Sequence, residues 1–377
     1  DRGPASVSNS KAIINSYNTW RPFTSVKESG LTLSSVENSE LTYEKKHELN
    51  IGAEIGFIDN RINIEADWYT RNNFDLIGLI YTKGTGGQLA KFANVASMKS
   101  SGVEFTVSTR NIKTKDFSWN TDFIFSHTKN EVTDLQSNAS VMDMISGNGF
   151  AMEGYPVRAL FSMDFQGLNE NGYPTFINEK GQLTVSDINF QEQLKKDHLV
   201  YEGPTDPTMT GSLGNIFRYK GFTLNAFITY SFGNVIRLDP VFHNVYSDLD
   251  AMPREFINRW TTGGDEKVTN VPVIADKRAN QQDPYLSYAY NAYNYSTERI
   301  AKGDFIRMKE LSLSYNFPKK MISRLKVNDL SLKIQATNLF LIYSDKKLNG
   351  QDPEFFNTGG VASPVPRQFT LTLRLGI

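Results

Sequence analysis

The residues from which chemistry could be built are few, and most of them point to none. His47, His127, His198 and His243 are scattered, with no metal-ligand spacing among them, and read as surface or loop residues. The "GTGG" at 84–87 lacks the Lys-Ser/Thr of a phosphate-binding loop and reads as a flexible connection. The "NENG" at 169–172 lacks the acidic pattern and closing Glu of a calcium loop and reads as a turn. No Ser/His/Asp arrangement follows from spacing, so the sequence carries no enzyme signal and calls for no cofactor or metal. Two sets remain as binding candidates. Glu54, Glu65, Asp67, Glu104 and Asp122 alternate with apolar residues, and Tyr285, Tyr288, Tyr290, Tyr293 and Tyr295 crowd the stretch "DPYLSYAYNAYNYSTE". A tyrosine offers a flat apolar face and a hydroxyl, which suits stacking on a sugar ring, seating a partner protein, or packing a loop on itself. All three readings stay open.

The carboxylates belong to segments of strict alternation, the period of a β-strand with one apolar and one polar face. In "ELNIGAEIGFIDNRINIEADWYT" the apolar set is Leu49, Ile51, Ala53, Ile55 and Phe57, then Ile62, Ile64, Ala66 and Trp68 after a tight turn at Asp59 and Asn60. Val103, Phe105 and Val107, then Trp119, Phe123 and Phe125, form a second pair, with Glu104 and Asp122 on the polar side. Residues 212–219 and 222–232 form a third pair across Lys220 and Gly221, and 305–316, 330–340 and 368–377 complete a set of nine. The last, "RQFTLTLRLGI", alternates up to Ile377 and by itself suits a soluble sandwich equally well. Only 319–326 suggests a turn of helix.

Composition narrows the class. Of the 377 residues, 39% are hydrophobic and 12% aromatic, including 25 Phe and 17 Tyr. Mean hydropathy is −0.40, so no stretch approaches the apolar run of a transmembrane helix. Barrel strands escape that test because alternation hides their apolar half. A net charge of −1 gives no electrostatic case for nucleic acid, and zero cysteines exclude a disulfide scaffold and Cys-ligated zinc or iron–sulfur sites. The chain opens on Asp1, without initiator Met or signal peptide, and reads as a processed product or a piece of something longer.

The connections decide between sandwich and membrane barrel. Those at 58–61, 111–116, 220–221 and 317–329 are short, while those at 71–102, 128–211, 233–304 and 341–367 are long, and the two kinds alternate. Short turns at one end and long loops at the other is the plan of an outer-membrane barrel. Parity also reads "ALFSMDFQGLNENGYPTFIN" as a hairpin inside the long excursion, and places 1–43, with Asp1, in an external loop region where a surface break would explain the start. Trp68, Tyr69, Phe117, Trp119, Tyr219, Tyr230, Phe232, Tyr315 and Phe317 fall near the expected strand ends, as in an interfacial girdle.

At this point the stretches "NSELTYEKKHELNIGAEIGFIDNRINIEADWYTRNNFDLI", "FANVASMKSSGVEFTVSTRNIKTKDFSWNTDFIFSHTKNEV", "YKGFTLNAFITYSFGN", "DFIRMKELSLSYNFPKKMISRLKVNDLSLKIQATNLFLI" and the closing "PVPRQFTLTLRLGI" resemble SusC/RagA-type TonB-dependent transporters of Bacteroidota outer membranes, in the family's order from about Asn38 onward. Ile377 departs from the aromatic residue that often ends barrel proteins. The resemblance implies an all-β fold, the C-terminal part of a transmembrane antiparallel β-barrel of about 22 strands closed around a plug, with about nine of its spanning strands in this chain. It also implies a SusD-like surface lipoprotein, contact with the TonB complex through an N-terminal part, and import of oligosaccharides or oligopeptides. A passive porin and a structural or adhesive β-protein are the competing readings.

Several expectations follow. The nine strands should not close on themselves, because open sheet edges are not tolerated in hydrocarbon, and the N-terminal plug and barrel portion must supply the rest. Leu49, Ile51, Ile55, Ile62, Ile64, Phe105, Phe123, Phe125, Leu224 and Ile228 should face outer-membrane lipid. The five carboxylates should face a lumen, there to be solvated, to pair with a plug, or to touch substrate. The long loops, with the tyrosines, should form a seat for the lipoprotein.

Overall fold

Each of the alternating segments becomes a strand, and several of the strands run further than the alternation indicated. The computed structural model describes residues 12–20, 25–35, 37–81, 84, 90–136, 139–146, 149–242, 254–323, 327–356 and 366–376. His243, residues 85–87 of the glycine-rich stretch, 324–326 of the expected helical turn and Ile377 lie outside them. In chain order the strands are β1 (Ile13–Trp20), β2 (Lys27–Ser35), β3 (Lys45–Phe57), β4 (Ile62–Tyr81), β5 (Ala90–Lys113) and β6 (Phe117–Leu135). Then come β7 (Ala159–Met163), β8 (Phe165–Leu168), β9 (Pro174–Ile177), β10 (Leu183–Thr184), β11 (Leu199–Pro204), β12 (Met209–Tyr219) and β13 (Phe222–Phe232). The last are β14 (Val235–Arg237), β15 (Ile300–Lys302), β16 (Phe305–Asn316), β17 (Asp329–Ser344) and β18 (Gln368–Gly376). Helices are short: α1 (Val141–Ile145), α2 (Lys277–Gln282), α3 (Leu286–Asn294) and α4 (Lys319–Ile322). None is long and apolar enough to cross a membrane, which says nothing about strands.

One antiparallel sheet of nine strands dominates, in the order β3-β4-β5-β6-β12-β13-β16-β17-β18. Its edges, β3 and β18, do not pair with each other, so among the described residues the sheet stays open. Hairpin turns fix the register. Ile58, Asp59 and Asn60 all adopt positive φ, and Lys220 with Gly221 makes the two-residue turn at φ 45° and 92°. A Cβ on Gly221 would sit 2.9 Å from the Asn316 carbonyl oxygen, so that turn requires glycine.

The expected excursion at 71–102 is largely strand. β4 and β5 pair out to Tyr81 and Ala90, past a register shift at Asn73–Leu76 where Asp75 adopts φ 55°. Asn94 and Asp75 brace this extension: Asn94 Nδ2 donates to the Thr42 carbonyl at 3.0 Å, and Lys45 pairs with Asp75 at 2.7 Å. Ile13–Trp20 and Lys27–Ser35 are likewise not plain loop but pair as a separate two-stranded sheet. The remaining long connections fold into a layer of small sheets and helices. β7 pairs with β11, β14 with β15, and β8, β9 and β10 form a third sheet, so "ALFSMDFQGLNENGYPTFIN" stays outside the large sheet as expected.

Burial is inverted relative to a soluble protein. Register lines Ile55, Ile64, Val107, Phe123, Leu213, Ile228 and Met308 into one row across seven strands, all on one face. That face leaves Ile51 59% exposed, Ile334 53% and Leu371 69%. The opposite face is polar and holds buried polar side chains, Ser100, Ser212, Ser231, Ser312 and Arg307. The dry apolar cores lie in the loop layer instead. The largest joins Val141, Ile145, Met163, Phe176, Ile188, Val241, Phe256, Ala292 and Tyr293 from two different long connections.

Candidate functional site

Register places all five carboxylates on the polar face. Glu54 stands directly opposite Glu65, and Asp67 opposite Glu104. Asp122 lies across from Ser108, whose hydroxyl donates to it at 2.7 Å. Like charges directly opposite on a sheet repel, and none of the five makes an ion pair with a described residue. On the same face Lys46 and Arg71 are taken by Glu48 at 2.8 and 2.9 Å, while Arg110 and Arg218 stand toward the short-turn end without an ion pair to any of the five. The result is a run of carboxylates along the polar face in which Glu54 faces Glu65 and Asp67 faces Glu104.

Toward the long-connection end, the face closes under the loop layer. β16 carries a bulge there: Phe227 pairs with Glu310 but Ile228 with Met308, leaving Lys309 out of register. The sequence holds the signal for it, because the apolar phase shifts from Ile306 and Met308 to Leu311, Leu313 and Tyr315. Beside the bulge Arg307 is almost fully buried, bonded to Asp352 and 3.3 Å from Glu354, which clamps the segment after β17 onto the sheet. A cavity of about 670 Å³ opens at this junction, lined by Arg158, Thr210, Thr229, Ser231, Asn234, Lys309, Glu354 and Phe305 among others. Its hydroxyls, amide, charges and ring fit a polar oligomeric ligand. Arg158, Asn234, Lys309 and Glu354 come from four different elements, so no spacing in the sequence groups them.

The tyrosine stretch is a helix, not an open loop. On α3, Tyr290 and Tyr293 are 1% exposed, whereas Tyr285 and Tyr288 are 61% and 44% exposed. Tyr290 stacks on Phe242 at 3.8 Å and donates its hydroxyl to the Val273 carbonyl at 2.6 Å. Tyr293 packs edge-on against Phe165 at 5.6 Å, and its burial pushes the phenol pKa up. Tyr295 lies under the Arg237 guanidinium at 5.6 Å. The five therefore do not form one surface: Tyr290 and Tyr293 pack the layer, and Tyr285 with Tyr288, 5.8 Å apart, stays open to solvent. Among the described residues no hydrogen bond or ring contact joins these tyrosines to the five carboxylates.

Buried Arg237 ties the two long connections together, and buried Arg299 braces the second of them. Arg237 donates to the Ser162 hydroxyl at 3.2 Å and the Ser296 carbonyl at 3.4 Å, and desolvation brings its pKa down to about 10. Nearby Glu202 has its carboxyl pushed up by burial, against the opposing pull of Ser162 and Arg237. Arg299 is bonded to Glu255 and to the Asp239 carbonyl, the latter at 2.7 Å.

The girdle reading needs correction at one end. Phe117, Trp119, Tyr219, Tyr315 and Phe317 do collect at the short-turn end, with Trp119 stacked on Phe217 at 5.6 Å and Tyr315 tilted against Phe222 at 4.3 Å. Trp68 and Tyr69, however, sit inside the long β4. Tyr69 lies on the polar face, 4% exposed, over Gly102 and hydrogen-bonded to Thr128 at 2.7 Å, because the glycine leaves room for its ring.

No family model matches the chain. It is 24% identical over 362 residues to TonB-dependent receptor P3 of Formosa agariphila, covering 90% of this chain and 34% of that protein. It is 26% identical over 357 residues to TonB-dependent receptor SusC of Bacteroides thetaiotaomicron, covering 90% of this chain and 32% of that protein. The chain thus spans about a third of the length of the curated relatives it matches. Among solved structures, the RagAB peptide transporter superposes with a TM-score of 0.74 at 22% identity, covering 97% of this chain and 38% of its match. The RagAB peptide importer in its open-open state superposes with a TM-score of 0.74 at 21% identity over 98% of this chain and 38% of its match. In sequence and in fold, the chain is SusC/RagA-like along about nine-tenths of its residues.

Proposed function

We propose that this chain is the C-terminal barrel portion of an outer-membrane, TonB-dependent importer of oligomeric nutrients. The observation that carries the reading is the inverted burial, in which a nine-stranded sheet exposes its leucines, isoleucines and phenylalanines and keeps its carboxylates on the other face. In water such a band would drive aggregation; against hydrocarbon it is the expected arrangement. Trp119 and the row of Trp68, which includes His127, are eight residues apart on β6. At a rise of about 3.3 Å per residue and a tilt of about 40° this spans roughly 20 Å, close to the apolar band of an outer-membrane barrel.

In this reading the polar face lines the lumen, and the cavity beneath the loop layer is the upper part of the substrate path. The exposed Tyr285 and Tyr288 sit on the side where a SusD-like lipoprotein would cap the barrel. An N-terminal part, about two-thirds of the relatives' length, would supply the plug, the TonB contact and the missing strands. Oligosaccharide and oligopeptide both fit, since hydroxyls, amides and charges recognise either.

The test is uptake by cells expressing the full-length protein, supplied with labelled glycan and peptide oligomers. Energy-coupled import stops when the proton-motive force is collapsed. Uptake that continues unchanged would identify a passive pore instead. Mass spectrometry of the ligand that co-purifies names the substrate class.

A further inference from the structure

We propose that the short-turn end of the sheet carries a docking surface for anionic phospholipid headgroups, built from Arg61, Lys115, Lys220, Lys319 and Lys320. The proposal rests on the membrane reading above. These five cations occupy the connections that follow β3, β5, β12 and β16, all are exposed, and among the described residues at that end Asp59, Asp116 and Asp329 oppose them. None makes an ion pair with a described residue. At the opposite end three cations, Lys45, Arg71 and Arg158, pair with Asp75, Glu48 and Asp206 at 2.7, 2.9 and 2.7 Å.

Local contacts hold the charges at the edge of the apolar face. Arg61 donates to the carbonyls of Arg110 and Asn111, at 3.3 and 3.0 Å, which fixes the guanidinium without cancelling it. The Lys220 ammonium lies 5.2 Å over the ring of Tyr219, and register puts Tyr219 on the apolar face. On α4 Lys319 and Lys320 directly precede Met321, which is 62% exposed, while Ile322 is buried and anchors the turn. From mid-sheet outward, the order is aliphatic side chains, then Trp119, Tyr219, Phe222 and Tyr315, then ammonium and guanidinium groups. That is the depth order of hydrocarbon, interface and headgroup phosphate. Arg110 and Arg218 lie at the same end, but register turns them to the polar face, away from lipid.

The experiment uses the full-length protein in nanodiscs of equal phosphatidylglycerol and phosphatidylethanolamine, followed by native mass spectrometry of retained lipid. Each cation near an anionic surface contributes roughly a fivefold preference. The wild type should therefore retain phosphatidylglycerol selectively. Combining Lys115→Gln, Lys220→Gln, Lys319→Gln and Lys320→Gln should lower that selectivity by roughly tenfold or more. The matching Lys→Arg combination should keep it, as should Arg110→Gln with Arg218→Gln. Unchanged selectivity in the Lys→Gln protein, or loss in the lumen-side control alone, overturns the proposal. A wild type that enters the nanodisc without preference also overturns it while leaving the membrane reading intact, whereas a wild type that does not enter overturns that reading.

Discussion

Single side chains in the loop layer separate into those that hold it and those free to touch something else. Tyr293→Ala opens a cavity in the largest core and should cost about 3–5 kcal/mol of local stability, read as faster hydrogen exchange across 136–208 and 233–304. Tyr285→Ala and Tyr288→Ala should change stability by less than about 0.5 kcal/mol, because both rings are exposed. If they also leave uptake and lipoprotein pull-down unchanged, the exposed pair has no part in capping. Glu202 makes a pH-dependent contribution. Its folded-state pKa is raised, so the folded layer holds the proton more tightly than the unfolded chain, and stability falls as pH rises from the ordinary carboxyl value through the raised one. Glu202→Gln should therefore protect the layer from exchange at pH 7 and have little effect at pH 4.

At the scale of the strand, register is what the sequence must specify. Ile64 lies in the apolar row and Glu65 on the polar face, one residue apart. An Arg in place of Ile64 should cost roughly 2–4 kcal/mol in a bilayer unfolding titration, while Glu65→Gln should barely register. An equal effect at the two positions would mean the faces are reversed. β12 has its own weak point at Gly211, where Tyr230 from β13 lies across the glycine and donates its hydroxyl to the Ile124 carbonyl of β6 at 2.9 Å. A tyrosine ring covering a glycine on the neighbouring strand supplies the packing the glycine lacks. Gly211→Val would displace that ring and should slow assembly of the β6-β12-β13 strands, visible as a larger unfolded fraction on heat-modifiability gels.

For the whole molecule the open sheet sets the limit. Among the described residues β3 and β18 each present an unpaired edge, which water tolerates poorly and hydrocarbon not at all. The 377-residue chain expressed alone should aggregate and give no compact, heat-modifiable band, whereas the full-length protein should give one. A compact band and stable single-channel conductance from the chain alone would show that its strands do close. The loop layer is a separate matter: its cores are dry and aliphatic–aromatic like those of a soluble domain, so it should hold its protection even where the sheet is destabilised.

By itself the sequence determined the centre of each strand, its faces and the tight turns, but not that the connection expected at 71–102 would shrink to 82–89. Each of these is a local property: a period of two shows which side chains share a face, and Lys220-Gly221 or Asp59-Asn60 shows where a chain reverses. The carboxylates were legible for the same reason. The extent of β4 and β5 was not, because beyond Thr70 their pairing is sustained by cross-strand bonds such as those of Asn94 rather than by alternation. The shift of apolar phase at Met308 was readable as a bulge, yet the cavity beside it was not, since Arg158, Asn234, Lys309 and Glu354 meet only when the connections fold over the polar face. The tyrosines divided for a similar reason. Their spacing is equally good for a stacking surface and for a helix, and tertiary packing against Phe242 and Phe165 decided which rings turn inward. Local periodicity fixes elements; which long connection covers which face depends on contacts distant in sequence, and those only the tertiary structure supplies.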